Sequence, residues 1–244
     1  MHKVLSNPFT LKIGAFAALS ERELDAVGRL QSVHRICTPG QDLVEQGQQG
    51  RVAYILLSGW TISYKTQVNG SRQIAGIQVP GDFVGFRSIL LSASDHSVKP
   101  VVDSRVAEVT VDALQEAFAG APRLAMAILW AASRDSAMVV EHLVGLGRRN
   151  ALERMAHLLL ELGVRLALVG AAGPTGYSCP LTQDQLADTL GLSVVHVNRV
   201  LRRLREDGMV TFRDGYVTFD DRERLVTFAR FDPAYLDQTG PPRA

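Results

Sequence analysis

Between Thr182 and Gly208 the chain reads TQDQLADTLGLSVVHVNRVLRRLREDG, and few folds accommodate that string. Thr182 is a good N-cap, and Gln185 three places on completes a capping box. Leu186, Ala187 and Leu190 follow at helical spacing, and Gly191 offers the left-handed residue that ends a helix. Ser193 then caps a second helix, and Gly208 follows its end. On that helix Val197, Val200, Leu201 and Leu204 fall at i, i+3, i+4 and i+7, which predicts one buried stripe. Val195, Asn198, Arg199 and Arg202 share another face at the same spacing.

A helix with one apolar stripe and one Asn/Arg stripe can pack on its partner and still enter a major groove. Arginine reaches O6 and N7 of guanine, and asparagine pairs with adenine. Arg199 is therefore the first candidate for a base contact and Asn198 the second, with Ser193, Val194, Val195 and His196 as lesser ones. Arg202, Arg203 and Arg205 suit phosphates on either side, and Thr182 at the start of the first helix joins the candidate DNA contacts. A solvated, arginine-rich surface helix is the bland alternative. The small residues Ala187 and Gly191, which let two helices cross closely, favour a helix-turn-helix. Two short β-type runs follow, Met209–Phe212 and Tyr216–Phe219, around Asp214-Gly215. They predict a hairpin in the position of a wing. Asp220 is expected to cap a last helix through about Phe228, and the tail from Gln238 is expected to fray.

The 244 residues allow two modest domains with real cores. The formal net charge of +1 says little about DNA. From Tyr177 to Phe231 eight Arg are balanced by eight Asp or Glu, so any attraction to DNA is local to one helix. No apolar run approaches the roughly 20 residues that span a bilayer, and MHKVLSNPFT lacks the apolar core of a signal peptide. A cytoplasmic protein without membrane contact is expected. Cys37 and Cys179 are too few for a four-thiolate metal site and read as ordinary residues.

Earlier in the chain, Leu19 to Leu30 predicts a short helix with Ser20 and Glu23 as its capping box. From Ile36 to Val111 short β-type runs alternate with glycines at 40, 47, 50, 59, 70, 76, 81 and 85. Many short strands with regular turns predict a sandwich or barrel. From Pro122 to Leu146 the pattern turns helical. Leu124, Ile128, Ala131, Asp135, Met138 and His142 alternate at spacings of three and four, close to a 3.5 period. They form the candidate dimer seam, with a buried domain helix as the alternative. Asp135 in such a seam is costly unless paired or protonated. Gly145 and Gly147 interrupt the pattern, Asn150 to Leu162 restarts it, and the hinge is expected between them. Ala167 to Cys179 reads as a connection to the helix-turn-helix. The expected division is 1–121 for a sensor domain, 122–147 for the dimerisation helix and 148–244 for the winged helix.

A β-roll, a long helix and a winged helix in this order resemble the CRP/FNR superfamily of bacterial transcription regulators. The resemblance runs from about Phe16 to Phe228. It rests most on Leu181 to Val210, on Pro80-Gly81-Asp82-Phe83-Val84-Gly85, and on Arg148-Arg149-Asn150-Ala151-Leu152-Glu153-Arg154. It implies an α+β chain with an N-terminal, cyclic-nucleotide-binding-like jelly roll. It further implies a homodimer on a two-fold symmetric operator, with RNA polymerase as a further partner.

Departures from the family pattern narrow its implications. Cyclic-AMP-binding members follow the glycine matching Gly85 with Glu and later carry Arg-Ser. Here Phe86 holds the first position and His96-Ser97 the second. A neutral His is a poor partner for a phosphate, so cyclic AMP is not expected to bind in the family manner. Phe86, Arg87, Ser88, His96 and Ser97 remain the candidate effector pocket, for an unknown effector. The cysteine cluster of the oxygen-sensing branch is absent before Cys37, and His2, His34, His96, His142 and His157 sit in no recognisable haem motif. No metal and no cofactor is expected. Many members carry Glu at the position of Val195, where it accepts from cytosine N4, so a related but altered half-site is expected.

Three functions stay in play. The leading one is a dimeric regulator whose β-roll senses a signal and relays it to the recognition helices. The second is a small-molecule-binding module whose winged helix mainly serves protein contacts. An enzyme is the weakest, because no clustered His and Glu and no Ser/His/Asp or Cys/His set is suggested.

Overall fold

A computed structural model describes residues 7–50 and 52–238. Its chain condenses into two compact units. The expected fraying of the tail falls mostly on 239–244, outside the described residues.

The first unit holds most of the β-roll. Helix α1 spans Pro8–Phe16, capped by Asn7, and α2 spans Glu21–Leu30 with the expected Ser20/Glu23 capping box. Strands β1 (His34–Cys37), β2 (Val52–Ser58), β3 (Thr61–Thr66), β4 (Arg72–Gln78), β5 (Phe83–Val84), β6 (Ser97–Pro100) and β7 (Ser104–Thr110) come next. They form a four-stranded sheet in the order β1-β7-β2-β5 and a three-stranded one in the order β4-β3-β6. Alternation sorts the side chains of the larger sheet. Ala53, Ile55, Leu57, Ala107 and Val109 face the helices, while Tyr54, Leu56 and Val106 face the inside of the roll with Leu43, Val44, Val84 and Val98.

Two helices lie outside the sequence expectations. One is α1, and the other is α3 (Val111–Gly120), which begins where β7 ends because Thr110 caps it through Ala113 N. Alternation of Val and polar residues up to Val111 reads as strand to the last residue, and only the cap marks the change.

Helix α4 spans Pro122–Arg148 without a break. Gly145 and Gly147 do not interrupt it, and the next helix, α5 (Ala151–Leu168), starts at an Asn150/Glu153 capping box. The first unit keeps α4 as far as Asp135 and the second takes it from Ser136, so the boundary between the units falls within the helix rather than at its end.

The six residues of the expected dimer seam do not share one exposed face within the chain. Leu124, Ile128, Ala131 and Met138 are buried against their own chain, and the first two belong to the helix-side core. Asp135 faces Lys12, whose Nζ lies 3.7 Å away, and His142 is bonded to Glu161. Two stripes on one helix share the same period, and periodicity alone does not distinguish a chain's own core from a partner's.

Lys12 also anchors the Pro80–Gly85 turn. Its buried ammonium sits 2.8 Å from Asp82 Oδ1, and Asp82 Oδ2 accepts from Val79 N. Each charge is thereby paired, which burial demands.

The second unit is built around α5, whose residues from Met155 to Leu166 are all buried. Strand β8 (Gly176–Ser178) falls within the expected connection and pairs with the wing. After it come α6 (Gln183–Leu190), α7 (Val194–Glu206), β9 (Val210–Arg213), β10 (Tyr216–Phe219) and α8 (Arg222–Ala229). The sheet order is β8-β10-β9. Gly163 on α5 lies where a Cβ would meet the Phe219 ring at 3.0 Å and the Tyr177 ring at 3.2 Å, so the wing sheet can sit close to the helix. Tyr177 donates its hydroxyl to Leu159 O at 2.7 Å.

Candidate nucleic-acid interface

The Thr182–Gly208 stretch folds as read. Thr182 accepts from Gln185 N and Gln185 returns the bond, Gly191 closes α6 in the left-handed region at φ 62°, and Ser193 accepts from His196 N. Val197, Val200, Leu201 and Leu204 are buried, as the stripe requires. The turn of the wing has φ 52° at Asp214 and 71° at Gly215, the two positive values a tight hairpin needs. Asp221, not Asp220, caps α8; Asp220 accepts from the Thr211 hydroxyl instead.

The opposite face of α7 is left to solvent. Val195, His196, Asn198, Arg199, Arg202, Arg203 and Arg205 are exposed, and Val194 is half-buried. The Ser193 hydroxyl accepts from His196 N in the cap and keeps its proton to donate. The Thr182 hydroxyl likewise accepts from Gln185 N in its capping box and keeps its proton.

The arginines divide into two groups. Arg202 Nε is 2.8 Å from Glu206 Oε1, and Arg203 Nε is 2.9 Å from Asp207 Oδ2, both i,i+4 pairs in water. The hydrogen bond from Arg202 holds the Glu206 carboxyl below its usual range. Exposed pairs of this kind are weak and exchange readily for a phosphate. The Arg199 side chain makes no hydrogen bond or ion pair to any described residue, which leaves its guanidinium free for a base edge. Charge pairing of this sort is invisible in the composition of the helix; only the i,i+4 spacing of Arg202/Glu206 and Arg203/Asp207 could have signalled it.

The candidate effector residues are only partly brought together. Asp95 joins Arg87 (Nη2 to Oδ2, 3.3 Å) and His96 (Nδ1 to Oδ1, 2.7 Å). Burial alone would raise the Asp95 carboxyl; the His96 bond and the Arg87 charge bring it below its usual value. The Ser88 hydroxyl donates to Ser94, and Ser97 accepts from Gln46 N at 2.9 Å. Phe86 stands apart, packed on Phe83 at a ring distance of 4.8 Å and against the helix-side core. Its large apolar ring follows the core, which removes it from a pocket inside the roll. Asp95 is the residue that sequence reasoning misses, because a carboxylate beside a supposed phosphate site carries no positive signal.

Cys37 and Cys179 are both free and buried, and burial pushes the Cys179 thiol up to about 12. No group of three or more His, Cys, Asp or Glu among the described residues is placed to hold a metal. No helix among them is long and apolar enough to cross a membrane.

Two family models match the chain: a cyclic nucleotide-binding domain over residues 34–120 and a Crp-like helix-turn-helix domain over 153–228. The fumarate and nitrate reduction regulatory protein of Escherichia coli is 26% identical over 211 residues, covering 86% of this chain and 84% of the relative. Among solved structures, FixK2 from Bradyrhizobium japonicum superposes with a TM-score of 0.72 at 22% identity, over 87% of this chain and 98% of that one. The c-di-GMP-responsive regulator CLP from Xanthomonas campestris gives 0.64 at 20% identity, over 80% and 98%. The matched domains and the curated relatives are those of a transcription regulator with a helix-turn-helix DNA-binding domain. The chain belongs to the CRP/FNR superfamily.

Proposed function

We propose that this regulator acts as a homodimer that reads a two-fold symmetric DNA site with one α7 helix in each half-site, and that the β-roll senses a signal and relays it through α4. The observation that carries the dimer is a second stripe on α4. Met126, Leu129, Ser133, Ser136, Val140, Leu143 and Gly147 alternate at spacings of three and four, and all are exposed. Large apolar side chains in water at a 3.5 period, Leu143 at 68% exposure, fit a coiled-coil seam. The small residues at 133, 136 and 147 let two copies approach closely.

The relay follows from the same helix. Leu124, Ala127 and Ile128 are built into the core beneath the larger sheet, and the helix continues unbroken into the unit that carries α7. A signal that favours one packing of the roll therefore biases how two α4 helices pair, and with it the population of dimers able to reach both half-sites. A family role in activation or repression brings RNA polymerase in as a further partner, and the protein works in the cytoplasm where its DNA is.

The test is stoichiometric. Titration of the purified protein onto a palindromic operator duplex should saturate at two protomers per duplex. A duplex carrying a single half should also take up two protomers, as one more weakly held dimer; one protomer on the single half would mean that monomers bind. Saturation at one protomer on the full palindrome would refute the dimer.

A further inference from the structure

The DNA-facing side of α7 carries one side chain that its neighbours do not explain. Val195 is 69% exposed, at the second position of the helix, on a face otherwise made of Asn198, Arg199 and Arg202. These residues stand at i, i+3, i+4 and i+7, so their side chains line up along one groove-facing surface. The side chains of Asn198 and Arg199 make no bond to any described residue and have donors to offer. Val195 has only two methyl groups, and nothing among the described residues covers them.

Resting on the reading of α7 as the recognition helix, we infer that Val195 selects thymine at one position of each half-site by packing on its C5-methyl group. The major groove displays donors and acceptors on every base pair but only one apolar group, the thymine methyl. A valine pressed against it removes apolar surface of both partners from water. Cytosine at that position is rejected for the complementary reason: its N4 amino group would lose water and find no acceptor. Arg199 and Asn198, one turn further along, read the adjoining purines, so the selected thymine belongs to the same half-site as the guanine that Arg199 contacts. The specificity at this step comes from what the side chain lacks as much as from what it touches.

The experiment replaces each thymine of one operator half-site in turn by deoxyuridine, which deletes the methyl and keeps base pairing. Binding is then measured for the wild-type protein, Val195→Ala and Val195→Glu. At one thymine the wild-type protein should lose about fourfold in affinity, the worth of one buried methyl, while Val195→Ala binds both duplexes alike. Val195→Glu should shift the preference at that base pair from thymine to cytosine, because a carboxylate accepts from N4. All three proteins should melt alike, since the position is exposed. Equal binding of every uracil duplex by the wild-type protein, or an equal loss for Val195→Ala, would overturn the role of Val195 while leaving sequence-specific binding intact. Failure of the wild-type protein to prefer the operator over unrelated DNA would instead overturn the recognition-helix reading and this inference with it.

Discussion

His142 Nε2 lies 2.8 Å from Oε2 of Glu161, and that bond ties the end of α4 to the middle of α5. Glu161 is wholly buried. Tyr235 donates its hydroxyl to the same oxygen at 2.8 Å, and Arg165 Nη1 stands 3.3 Å from the other. Burial alone would raise the Glu161 carboxyl. Attraction to His142 and its hydrogen bond, then Arg165 and Tyr235, outweigh it and hold the group down at about 2. The carboxylate is thus a charged hub where the two helices meet, and its cost of burial is offset only while every partner is present.

The first prediction concerns acid. His157, packed between Phe231 and Tyr235, is held down at about 4 by burial and by the Arg149 charge. An unfolded His binds a proton near pH 6.5, so acidification favours the unfolded chain from that point down to about pH 4. Glu161 continues the trend, its stabilisation being complete above about pH 4.5 and lost towards pH 2. Melting temperature should therefore fall steadily below pH 6.5, and His157→Gln should flatten the upper part of that fall. A melting temperature unchanged between pH 7 and 5 would contradict the assignment.

Removing the hub should be costly. Glu161→Ala leaves the His142, Arg165 and Tyr235 donors facing a void, and breaking a buried pair in this way costs about 3–5 kcal/mol. Urea unfolding monitored by circular dichroism measures it directly. A loss below about 1 kcal/mol would show that the partners find water instead.

The two stripes of α4 make opposite predictions. Leu143→Glu lies on the exposed stripe and should yield folded monomers by sedimentation, with an unchanged far-ultraviolet spectrum. Met138→Lys lies on the buried stripe and should destabilise the fold by more than about 2 kcal/mol, whatever the protein concentration. A Leu143→Glu protein that remains dimeric would rule out the seam.

Those two stripes also show how far the sequence can be read. The helix-turn-helix and the wing are legible down to the capping box at Thr182, because capping and turn chemistry are local. The strand-rich roll is legible from its glycines and its alternating runs. The expected seam is two residues out of phase with the exposed stripe, since Leu124 and Met126 belong to rows of identical period, and only the surrounding core decides which row faces out. The place of Phe86 after Gly85 suggests a pocket, whereas its ring follows Phe83 into the core. The pairing of Arg87 and His96 with Asp95 depends on how the loop between β5 and β6 returns, which no spacing encodes.

The arginines of α7 should separate by role. Arg199→Ala should cost about 1–3 kcal/mol on the operator and relax the choice of base at one position. Arg203→Ala should weaken binding to all duplexes alike and lower the salt slope by about one. Fluorescence anisotropy at several salt concentrations gives both quantities. An Arg199→Ala variant that keeps full specificity would mean that another element reads the bases.

The most direct test is a selection of bound sequences from a random DNA library, run in parallel with the wild-type protein and with Arg199→Ala. The wild-type pool should converge on a two-fold symmetric site carrying a guanine in each half, with half-sites about one helical turn apart, and the Arg199→Ala pool should lose the preference for that guanine. A wild-type motif without two-fold symmetry, or the same guanine retained in the Arg199→Ala pool, would contradict a dimer that reads DNA through α7.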